Sequence, residues 1–151
     1  MDTRPVALSL AFTSAYRPRR SFFSRTERVL FIALELAMSG RCVVLAKVRL
    51  LDLCEGLDGR YDFTALNRVQ AKHVDFLLLD RTTMQPWRAV ELDDRSHLRP
   101  ERMTRDVIVN AFFRKIGLPL VRFRPQVSYE PSSLRRALEE AVPKQQELFA
   151  R

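Results

Sequence analysis

The stretch KHVDFLLLDRTTMQPWRAVELDDRSH, Lys72 to His97, places two apolar runs around a turn and threads seven acidic or imidazole side chains through them. HVDFLLLD (73–80) and WRAVELDD (87–94) each have the length and β-branched or aromatic content of a strand. RTTMQP between them is short enough to make the pair an antiparallel hairpin. Side chains alternate along a strand, so Glu91 and Asp93 point one way while Val90 and Leu92 point the other. Asp75 shares a face with Leu77, and Val74 and Phe76 face away. Paired as a hairpin, these strands set Asp75 beside Glu91 or Asp93. Carboxylates this close repel unless a cation lies between them. Hard oxygen ligands with open positions suit Mg²⁺ or Mn²⁺.

On the N-terminal side, SRTERVLFIALELAMSG reads as a helix. Ser24 caps it, Glu27 falls three residues later at capping-box spacing, and Leu30, Phe31, Leu34 and Met38 fall on one face. Gly40 is its stop. CVVLAKVRLLDL (42–53) reads as a strand, followed by a Gly- and Asp-rich loop over residues 55–59. Phe63–Arg68 is open between a short helix and a loop. On the C-terminal side, RPERMTRDVIVNAFFRKIG reads as a long helix with Pro100 in its first turn and Gly117 at its stop. LPLVRFR (118–124) reads as a strand. SSLRRALEEAV (132–142) reads as a final amphipathic helix capped by Ser132 or Ser133. A strand, helix and strand in succession usually form a parallel crossover. The expected fold is therefore α/β, a mixed sheet flanked by helices.

The 151 residues suit one domain, and 46% apolar residues are enough for a globular core. We expect a basic tail over residues 1–21, a domain over 22–142 and a C-terminal tail over 143–151. No apolar run approaches the roughly 20 residues of a membrane span. The apolar centre of the first 20 residues is broken by Thr13 and Ser14, which argues against a secretory leader. Cys42 and Cys54 form no CxxC and suit a reducing compartment, so the expected location is cytoplasmic. The net charge is +8 with a pI near 10.3, and Arg outnumbers Lys 22 to 4. Residues 1–28 hold six Arg against Asp2 and Glu27, which puts +4 there. Such a balance favours a nucleic-acid partner, because clustered Arg replaces the counterions of phosphates. It also arises from simple compositional bias.

The Asp followed by Glu-x-x on a hairpin resembles the PD-(D/E)XK nuclease superfamily. Taken together, VDFLLLD, AVELDDRSH and RDVIVNAFFRKIGLPLVRFRP resemble a bacterial domain of unknown function, number 2726. That family looks related to the very-short-patch-repair endonucleases. The resemblance spans roughly residues 22–130 and includes Thr26-Glu27 on the first helix. It implies a restriction-endonuclease-like αβββαβ core and a Mg²⁺- or Mn²⁺-dependent phosphodiesterase acting on DNA. The implied metal ligands are Asp75, Glu91, the carbonyl of Leu92, and Glu27 from the first helix.

One position departs from the pattern: the usual lysine after the acid is Asp93 here. An anion there would instead bind a second ion or orient His97, which the resemblance makes a general acid or base. Lys115 is too far down its helix to substitute, whereas Arg102 and Arg105 lie nearer the helix start. With Arg122 on the following strand, they are the candidate phosphate contacts. Each residue also has a plainer role. Glu27 suits a capping box, Asp93 and Asp94 a turn, Asp106 a helix-surface pair with Arg102, and Arg122 a structural ion pair. Trp87, Phe112 and Phe113 suit the core. Two functions follow, a nuclease or a nuclease-fold module that binds nucleic acid or a protein without cutting.

Overall fold

A computed structural model describes residues 17–56, 62–93 and 100–142, with residues 100–102 described by backbone alone. It is an α/β fold with one four-stranded mixed sheet and four helices. The first helix, α1 (Arg25–Ala37), begins at a complete capping box. The Ser24 hydroxyl accepts the Glu27 N–H, and the Glu27 carboxylate accepts the Ser24 N–H. Strand β1 (Cys42–Arg49) is shorter than the sequence suggests. Residues Leu50–Leu53 coil instead into a 3-10 turn that buries Leu50. Helix α2 (Phe63–Val69) is capped by Asp62, which settles the ambiguous segment as helical.

Strands β2 (His73–Asp80) and β3 (Pro86–Leu92) form the expected antiparallel hairpin. Helix α3 (Pro100–Ile116) then carries the chain across to β4 (Leu120–Phe123), which lies parallel to β3. Helix α4 (Pro131–Glu140) closes the described chain. Its cap is Glu130, with Pro131 at the first helical position, rather than Ser132 or Ser133. The longer Glu130 side chain, two residues before Ser132, reaches an orphan N–H group at the helix start, and proline fits where no N–H is needed.

The strand order is β1-β2-β3-β4. Two cores sandwich the sheet. The first packs Leu30, Leu34 and Met38 of α1 and Leu134 and Leu138 of α4 against Val44, Phe76, Leu78 and Val90. The second packs Val109 and Phe113 of α3, Val69 of α2 and Leu50 against Val74 and Ala89. Neighbouring residues Ala89 and Val90 face opposite sides, so α1 and α3 lie on opposite faces of the sheet. Phe113 enters the core as expected. Trp87 is half-buried against the first core, with the Arg88 guanidinium 4.4 Å from its ring centroid. Among the described residues, no helix is long and apolar enough to cross a membrane.

Candidate active site at a strand fork

The β2–β3 ladder runs from Leu79 opposite Pro86 to Phe76 opposite Val90 and then stops. The same register continued by one residue sets Asp75 across from Glu91. Instead of a backbone bond, Asp75 Oδ2 accepts the Leu92 N–H at 2.9 Å. A side chain thus fills a place that a main-chain carbonyl would take, and the two strands part there.

On its other side Asp75 is also skipped. The β1–β2 ladder pairs Ala46 with Phe76 and Val48 with Val74, but not Lys47 with Asp75. Lys47 has a left-handed φ of 54°, unusual for a side-chain-bearing residue inside a strand. This reverses the alternation of β1: Ala46 packs against the first core and Val48 against the second. Asp75 therefore sits at a fork, unpaired in the backbone ladders on both sides.

Glu91 is 4% exposed, the most deeply buried charged residue described. Its position opposite Arg122 on β4 and under α3 explains how it survives there. Arg122 Nη2 donates to Oε2 at 2.8 Å, and Arg105 Nη2 donates to Oε1 at 3.2 Å. Both guanidinia are themselves held. Arg122 Nη1 donates to Asn110 Oδ1 at 2.6 Å, and Arg105 Nη2 also reaches the His73 carbonyl at 3.1 Å. Arg105 thereby bridges the parted strands. Asp106 lies 3.7 Å from Arg105 and 4.0 Å from Arg122, which adds a further acid to the network. A buried carboxylate with two charge-assisted partners is compensated, whereas an isolated one would be costly.

Glu27 meets Lys47, the residue across from Asp75 on β1. It lies on α1, across the sheet from α3, and Lys47 Nζ donates to its Oε1 at 2.7 Å. Burial pushes the Glu27 carboxyl up, but the hydrogen bonds from Lys47 and Ser24 outweigh it and hold the group below its ordinary value. The Asp93 N–H donates to the Phe123 carbonyl at 2.8 Å, which extends the β3–β4 pairing by one residue. His97 and Asp94 lie outside the described residues, as does the side chain of Arg102. Among the described residues, no three His, Cys, Asp or Glu side chains gather to hold a metal ion.

Two hard carboxylates at adjacent strand positions still fit Mg²⁺, which is commonly held by one or two protein carboxylates with phosphate and water completing its shell. Asp75 uses one oxygen on Leu92, and each Glu91 oxygen takes one arginine hydrogen bond and keeps a second acceptor site.

Three groups were missed by the sequence reading: Lys47, Asn110 and the His73 carbonyl. Lys47 breaks an apolar strand, which was a visible signal, but its left-handed backbone was not. Asn110 meets Arg122 only because α3 crosses β4.

The described sheet, fork and network lie within the span of one family match. A family model described as protein of unknown function, DUF2726, matches residues 19–142. No curated protein and no solved structure matches the chain. With the match covering most of the 151 residues, the chain belongs to the DUF2726 family.

Proposed function

We propose that this chain is a divalent-metal-dependent nuclease of the restriction-endonuclease-like kind, hydrolysing phosphodiester bonds in DNA. The observation that carries the reading is the fork: Asp75 is unpaired in both backbone ladders, one residue beyond the Phe76–Val90 pair that precedes buried Glu91. A sheet gains nothing in stability from an acid that interrupts its pairing, whereas a site for a cation and a phosphate needs such an opening.

In this reading Asp75 and Glu91 hold Mg²⁺ or Mn²⁺, with the Leu92 carbonyl beside them. When bound, such an ion acidifies a water and offsets charge on the phosphate. The chain's own residues do the rest. The Leu92 N–H fixes the Asp75 carboxylate, and Asn110 fixes the Arg122 guanidinium. Arg105 and Arg122 pair with buried Glu91 and present their remaining N–H donors to the phosphate oxygens. Asp93, on the same face as Glu91, and His97 after it orient the attacking water or carry its proton.

Incubation with plasmid DNA and Mg²⁺ or Mn²⁺ tests the reading. Cleavage by the wild type, abolished by Asp75→Ala and by Glu91→Gln, is expected. No cleavage by the wild type, or equal cleavage by Asp75→Ala, would overturn it.

A second reading is a nuclease-fold module that binds nucleic acid without cutting. It is favoured by the arginines already bonded to both Glu91 oxygens and by Asp93 in the usual lysine position. It predicts salt-dependent DNA binding with no heat of metal binding in calorimetry.

A further inference from the structure

Lys47 occupies the middle of β1 in a left-handed conformation that glycine would adopt without penalty. An unfavourable backbone of this kind persists where the surroundings hold it, and such residues cluster at functional sites. The place is also specific. Lys47 is the residue that the β1–β2 ladder skips, across from Asp75 at the fork. Its ammonium group is held but not buried. Nζ lies 2.7 Å from Glu27 Oε1 and 5.7 Å from the centroid of the Phe22 ring, and the side chain is 27% exposed. Glu27 is anchored in turn, because its other oxygen accepts the Ser24 N–H of the capping box. An ordinary surface ion pair needs neither a reversed strand nor an anchored acid.

We propose that Lys47 is a catalytic residue of the site, a phosphate-contacting lysine delivered from β1 that replaces the one absent at Asp93. This rests on the nuclease reading. The ammonium group has three donors, so it can keep Glu27 and still contact a phosphate oxygen at the fork. Glu27 is then a positioning residue, which gives it a task on α1 without membership of the metal shell. The two arginines stand on the α3 side with Glu91 and Lys47 stands on the α1 side, so a phosphate at Asp75 meets cations from both directions.

Four proteins test this: wild type, Lys47→Gly, Lys47→Arg and Glu27→Gln. Glycine suits the left-handed position, and glutamine at 27 keeps the capping box. Lys47→Gly is expected to lower kcat about 100-fold with KM changed less than about threefold, the mark of a phosphate contact that strengthens in the transition state. Its DNA binding, measured without metal, should lose about one unit of salt slope. Lys47→Arg should recover part of kcat, and Glu27→Gln should lower it about tenfold.

A merely structural lysine would shift the thermal midpoint and leave kcat and the salt slope unchanged well below that midpoint. Lys47→Gly that is folded, with wild-type kcat and slope, overturns the proposal while wild-type cleavage keeps the nuclease reading. Should Lys47→Gly not fold, unchanged kcat in Glu27→Gln overturns it. A wild type that cuts no DNA with Mg²⁺ or Mn²⁺ removes both.

Discussion

Glu91 shows how a charge is tolerated inside a sheet protein. Only 4% of it is exposed, and it is paired with Arg105 and Arg122. Arg122 is the better placed of the two, at 2.8 Å, 26% exposed and tied to Asn110. Arg122→Ala should therefore destabilise the fold by about 2–4 kcal/mol in urea unfolding, since it strips a buried carboxylate of one partner. Arg105→Ala should cost less, because its bond is longer and the side chain is 38% exposed. Glu27 makes a pH prediction. Its folded value lies below the ordinary 4.5, so its contribution is complete above that value and is lost as pH falls through the depressed one. The stability advantage of wild type over Glu27→Gln should thus be constant at neutral pH and disappear in acid below the ordinary carboxylate range. An advantage that grows on acidification would reverse the assigned sign.

At the scale of elements, the local signals were the readable ones. The hairpin follows from two apolar runs and a six-residue turn, and the first helix from Ser24, Glu27 and the spacing of Leu30, Leu34 and Met38. Ser24→Ala should cost about 1 kcal/mol, measured by thermal unfolding. The end of α3 follows from Gly117, whose φ is +70° and whose N–H reaches the Arg114 carbonyl while the Leu118 N–H reaches Phe113. A Cβ at 117 would meet nothing within 4 Å, so Gly117→Ala should cost about 1 kcal/mol from the backbone alone.

What the sequence did not reveal depends on tertiary contact. Leu50–Leu53 continue the apolar pattern of β1, yet they coil because Leu50 fills the second core. Alternation placed Asp75 and Glu91 in neighbouring strands, but not the end of the ladder between them. It gave no hint that arginines from α3 and β4 would reach Glu91. Nor did the sequence show that the Glu27 carboxylate on α1 would meet Lys47 of β1.

For the molecule as a whole, the sheet divides the work. One face, under α1 and α4, carries the larger core, and the other, under α3, carries Glu91 and its arginines. The fork lies where the β2–β3 ladder ends and the β1–β2 ladder skips a pair, so it is built from the sheet itself rather than from an added loop. With a net charge of +8, the protein should bind DNA in a salt-dependent manner. An interface touching about four phosphates weakens roughly 100-fold between about 50 and 200 mM salt, as read by fluorescence anisotropy. A salt-independent affinity would argue against phosphate contacts.

In the proposed site Asp75 and Glu91 share one divalent ion, and the anomalous signal of a Mn²⁺-soaked crystal reads this out. A peak bonded to both carboxylates at the fork is expected. Metal-saturated crystals with no peak there, and with only Arg105 and Arg122 on Glu91, would contradict it.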